Sequence, residues 1–132
     1  SINESDIENV IRTKAAIFAG CCVLLDAVSL DFNDLEKVYI AGGFGNYLDI
    51  RNAQVIGLLP PIPYEKFKLL GNASLSGAKS CLLSKVERQK AEDIAHSMTY
   101  IDLSSSNSFF DQYSSALFLP HTNEERFYTA GK

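Results

Sequence analysis

Cysteine and histidine are scarce in this chain, three and two among 132 residues, and neither set has the spacing of metal ligands. Cys21 and Cys22 are adjacent rather than a Cys-x-x-Cys pair, and no histidine lies near them in sequence. The reading is three buried thiols in a reducing, cytoplasmic setting, with no zinc or iron–sulfur site built from them. His96 on a polar helix face and His121 in a polar, aromatic tail have no acid or nucleophile in a familiar pattern beside them. Both read as surface residues. No apolar run approaches the roughly 20 residues that span a bilayer, and no secretory leader is expected. A formal net charge of −4 gives no electrostatic footprint for nucleic acid or an acidic membrane. Gly-x-Ser-x-Gly and His-Glu-x-x-His are both missing. The chain begins at Ser1 and its one methionine is Met98, so the expectation is a fragment or processed product carrying part of a site.

What is present is a pair of strand-to-helix turns. In Val38-Tyr39-Ile40-Ala41-Gly42-Gly43-Phe44-Gly45-Asn46 and in Phe67-Lys68-Leu69-Leu70-Gly71-Asn72-Ala73-Ser74, a short apolar run stops at glycine and meets a helix-starting polar residue. Short, fully apolar runs suit parallel strands covered on both faces. Glycine lets the backbone take φ > 0 and approach a ligand, and the following helix offers free N–H groups to an anion. Ligands of open α/β sheets bind beyond the carboxyl ends of such strands. The loop lacks the third glycine of the dinucleotide fingerprint and the Gly-Lys-Ser/Thr of a Walker A loop. By itself it supports either a nucleotide-edge loop or a plain turn from strand to helix.

Around these turns the periodicity is mixed. Ser5-Asp6-Ile7-Glu8 has the capping-box pattern, and apolar residues recur at spacings of three and four over about 6–29, which predicts a long amphipathic helix. Arg12 and Lys14 interrupt its apolar pattern, and Gly20 suggests close packing on a sheet. Strands are predicted at about 37–41 and 66–70, and a third at 99–103 from Thr99-Tyr100-Ile101-Asp102-Leu103. Asp49 is placed as N-cap of a helix over about 50–58, Asn72 as cap of a small-residue helix, and Ser84-Lys85-Val86-Glu87 as a capping box opening a helix over 85–97. Phe109, Phe110, Tyr113, Leu117 and Phe118 sit on a last helix. Strands alternating with helices argue an α/β fold with a partly parallel sheet in three layers. Three strands make a small sheet, so further strands are expected upstream. The domain is expected over 1–120, and 121–132 as a loosely held or partner-docked tail.

Four blocks in order carry a resemblance. They are Ala15-Ala16-Ile17-Phe18-Ala19-Gly20, then Lys37 through Asp49 with the glycine loop, then Ala53-Gln54-Val55-Ile56-Gly57-Leu58-Leu59-Pro60, and then Gly71-Asn72-Ala73-Ser74-Leu75-Ser76-Gly77-Ala78. Together they resemble the C-terminal part of the reductive activators of corrinoid proteins, over about residues 4–120. The resemblance implies part of the second lobe of an actin, sugar-kinase and heat-shock-chaperone type ATPase. It implies a parent that uses ATP and Mg, carries an iron–sulfur cluster in a separate domain, and reduces Co(II) corrinoid to Co(I) on a methyltransferase or corrinoid protein. Gly42 and Gly43, with Phe44, Gly45, Asn46 and Asn72, match the adenosine side of the nucleotide site, and Lys14 is the candidate polar contact from the upstream helix. Phosphate hairpins and cluster cysteines do not occur in these residues, so the chain alone is expected to be inactive. Its partners are the corrinoid protein and the rest of its own polypeptide, with a homodimer as a further option. The rival reading is a docking module for the corrinoid partner, using the aromatic segment 109–127 and no nucleotide. A Rossmann-type coenzyme domain is a weaker third.

Overall fold

Asn3, not Ser5, opens the first helix. A computed structural model of the chain describes residues 2–43 and 47–128. In it the Asp6 N–H donates to Asn3 Oδ1 at 2.9 Å while the Asn3 N–H donates to Asp6 Oδ2 at 3.0 Å. Asn3 and Asp6 form the reciprocal box two residues earlier than Ser5 and Glu8, because either short polar side chain reaches the N3 amide and asparagine is a strong cap. Helix α1 (Glu4–Asp26) follows.

The remaining elements are β1 (Val38–Ala41), α2 (Ile50–Val55), β2 (Phe67–Gly71), α3 (Ala73–Leu83), α4 (Lys85–Ser97), α5 (Asn107–Ala116) and α6 (Glu125–Tyr128). Local side chains set most starts. Asp49 accepts from the Asn52 N–H at 3.0 Å, Asn72 from Leu75 at 3.0 Å, Ser84 from Glu87 at 3.3 Å and Ser106 from Phe109 at 3.3 Å. Glu87 does not complete a box with Ser84; its carboxylate takes Lys90 Nζ at 2.8 Å.

Strands β1 and β2 form a two-stranded parallel sheet. The predicted third strand does not form, since residues 99–102 join no ladder and 103–105 make a 3-10 turn. Alternation alone does not make a strand; a neighbour must take its N–H and C=O groups. Tyr100 stands 86% exposed, so that segment also buries little.

The chain divides into two compact units. The first comprises the stretch up to Val38, Asp49 to Phe67, and Asp102 onward; the second comprises Tyr39 to Leu48 and Lys68 to Ile101. In the first, α5 packs on α1. Ala15, Phe18, Ala19, Cys22 and Val23 of α1 are buried, with Phe32, Ile50, Ala53, Leu59, Ile62, Phe67 and Ala116. The Phe18 ring lies 5.6 Å from Phe32, 5.5 Å from His121 and 5.4 Å from Phe127. Burial of one such side chain contributes roughly 1.5–3 kcal/mol, so Phe18 is a central tie of this unit. A Cβ on Gly20 would lie 3.6 Å from Leu103 Cδ1.

The tail corrects a second expectation. His121 is buried rather than superficial, the Thr122 N–H donates to the Ser115 carbonyl at 3.0 Å, and Phe127 rests on Phe18. Polar composition hid this, because the contacts come from α1, a hundred residues away. Of the thiols, Cys22 is buried while Cys21 and Cys81 are half-buried, and all three are free.

The second unit holds the sheet and the α3–α4 pair. Neither helix has a buried residue, and Leu75, Leu82, Leu83, Val86 and Ile94 are all exposed. Among the described residues no helix is long and apolar enough to cross a membrane.

Candidate functional site

The two glycine turns meet. The Gly42 N–H donates to the Gly71 carbonyl at 2.7 Å, which ties the end of β1 to the end of β2. Both glycines are left-handed, with φ of +104° and +62°, a conformation that glycine adopts freely and other residues resist. The two parallel strands therefore end together, and α3 starts directly behind the second.

Gly42 and Gly43 lie on open space, since a Cβ at either would meet nothing within 4 Å. The backbone is therefore uncovered at the end of β1. Asn72 is committed to structure through its cap bond to Leu75, and its carbonyl accepts from both the N–H and the Oγ of Ser76. Phe44, Gly45 and Asn46 lie outside the described residues. Gly71 was not among the residues assigned to the site from sequence. Its positive φ follows from the same strand-end pattern that marks Gly42.

Lys14 lies in the other compact unit and is fully buried. Its Nζ donates to the carbonyl oxygens of Phe118 and of Pro120, the latter at 2.7 Å. Burial pulls its pKa below the ordinary lysine value; the two carbonyls supply acceptors for the charged form. The sequence could not announce this use, because the acceptors are backbone atoms more than a hundred residues away.

No group of three or more His, Cys, Asp or Glu side chains gathers among the described residues. The donor set here does not fit a magnesium site or an iron–sulfur cluster. Burial raises the Cys21 thiol and pushes Cys22 up to about 11, the opposite of a ligating thiolate.

Two parallel strands ending together at glycines, with a helix directly behind the second, define a piece of an α/β lobe. The comparisons with known proteins fix which. Residues 1–130 match the family described as the C-terminal domain of RACo, the ASKHA domain, and the chain belongs to that family. Its fold is thus that of an actin-like ATPase lobe. It is 48% identical to a solved structure named reductive activator for corrinoid,iron-sulfur protein, with a TM-score of 0.91 over 97% of this chain and 20% of that one. It is 41% identical to the corrinoid activation enzyme RamQ of Eubacterium limosum, over 85% of this chain and 19% of the relative. It is 29% identical to the [Co(II) methylated amine-specific corrinoid protein] reductase of Methanosarcina barkeri, over 85% of this chain and 21% of the relative. The chain spans about a fifth of the length of these proteins.

Proposed function

We propose that this chain is the adenosine-side part of the ATPase lobe in a reductive activator of corrinoid proteins. In the intact polypeptide, ATP binding and lobe closure would serve reduction of Co(II) corrinoid to Co(I) on a methyltransferase or corrinoid protein. The observation that carries the reading is the Gly42–Gly71 bond between the two strand ends, with open space over Gly42 and Gly43, in a chain whose relatives are named for corrinoid activation. Backbone at Gly42 and Gly43 would lie against the adenosine. Asn72 holds α3 in place behind them, and Phe44, Gly45 and Asn46 complete the loop. Lys14 bonds the Phe118 and Pro120 carbonyls within its own unit. Magnesium, the phosphate contacts and the cluster would come from other parts of the parent, with the chemistry of phosphoryl transfer. The exposed leucines of α3 and α4 suit contact with that remaining polypeptide.

Gly43→Val tests the reading in the intact parent. The new side chain has room and no left-handed φ to sustain, so the fold should persist while MgATP affinity drops at least tenfold by calorimetry. Unchanged affinity in a folded variant removes the glycine turn from the site. Exposure of Phe110 and Phe118 favours the second reading, a docking module within residues 109–127. Capture of a corrinoid protein by this chain without nucleotide, lost on Phe118→Ser, would support it.

A further inference from the structure

His121 is a buried imidazole held in one protonation state by its surroundings. It is 5% exposed. The Asn123 N–H donates to His121 Nδ1 at 2.9 Å, so the neutral ring carries its proton on Nε2, which has no hydrogen-bond partner among the described residues. Phe18 of α1 and Phe127 of α6 flank the ring at 5.5 Å and 6.1 Å. The charged groups acting on it are Arg126 from α6 and Lys14 from α1, both cations. Residues 117–123 run between these elements as a strap. Lys14 holds the strap by the Phe118 and Pro120 carbonyls, and Pro120 sits directly over Gly57.

We propose that the strap formed by residues 117–123 is a pH-sensitive latch, closed while His121 is neutral and loosened when His121 takes a proton. Protonation turns Nδ1 from acceptor to donor and sets it against the Asn123 N–H. It also places a third cation beside Lys14 and Arg126 in an apolar, aromatic setting. The faces of Phe18 and Phe127 offer cation–π attraction in return, set against the lost bond and two repulsions. Burial, then Arg126, then Lys14 lower the His121 pKa from its ordinary 6.5. The closed latch therefore excludes a proton that the open one accepts. Its stability is complete above 6.5 and falls as pH drops from there toward the lowered value.

The test is an NMR titration of the chain carrying His96→Asn, which leaves His121 as the one imidazole. Protection factors of the Thr122 and Asn123 amides are read on the same samples. We expect His121 to titrate below 6.5, with protection lost about tenfold per pH unit across the window, as one linked proton requires. His121→Asn keeps an acceptor for Asn123 without a titrating group, and its protection should stay level. Titration of His121 at 6.5 or above overturns the latch, as does an equal loss of protection in the asparagine variant. The histidine-containing chain decides the matter by itself should that variant not fold.

Discussion

A Cβ on Gly57 would stand 2.3 Å from the Pro120 carbonyl oxygen. Gly57 also has φ of +75°, so two independent constraints fix glycine there. Gly57→Ala would add left-handed strain of about 1–2 kcal/mol and push the strap off its seat. The combined loss should exceed about 2 kcal/mol, measured by urea denaturation. A variant as stable as the parent chain would show that the strap moves away at little cost.

Lys14→Met keeps the stem of the side chain and removes its donors. The Phe118 and Pro120 carbonyls would lose their bonds to Nζ, at a cost of about 1–3 kcal/mol. Protection of the Thr122 amide should fall with it. Equal stability and protection would mean that the ammonium merely offsets its own burial.

Gly20→Ala should stabilise the chain. The position is in the interior of α1, and its Cβ would make ordinary contact with Leu103 at 3.6 Å. Alanine gains about 0.5–1 kcal/mol of helix propensity over glycine. A lower midpoint in thermal unfolding would show that the Leu103 contact is tighter than it looks.

Cys22 should resist alkylation at pH 8. Burial is the main cause of its raised pKa of about 11, with a smaller opposing pull from Arg126. Its thiolate is then on the order of one part in a thousand at that pH. Mass spectrometry after brief iodoacetamide treatment should find Cys22 unmodified in the folded chain and fully modified in urea. Rapid labelling of the folded chain would place the thiol in contact with solvent.

The helix starts at Asp49, Asn72 and Ser84 are legible because each is a contact over three residues, written in a short stretch of sequence. The start of α1 lies two residues before the one the sequence suggests, because Asn3 and Ser5 are both competent caps and only the chain path chooses between them. Residues 99–103 looked like a strand, but a strand is a relation between two segments, and their partner is not supplied here. The glycine turns could be found by their punctuation. That Gly42 bonds Gly71 depends on how two strands lie side by side. His121 and Lys14 were the least legible, since burial of each is decided by elements far away in the chain.

The bare leucines of α3 and α4 bear on how such a chain fares in a cell. A proteolytic fragment that carried α3 and α4 without the rest of the parent polypeptide would display an oily, helical surface. That is the signal by which chaperones retain a client and proteases select one. Clearance of such fragments would then follow from these exposed side chains, with no dedicated degradation tag.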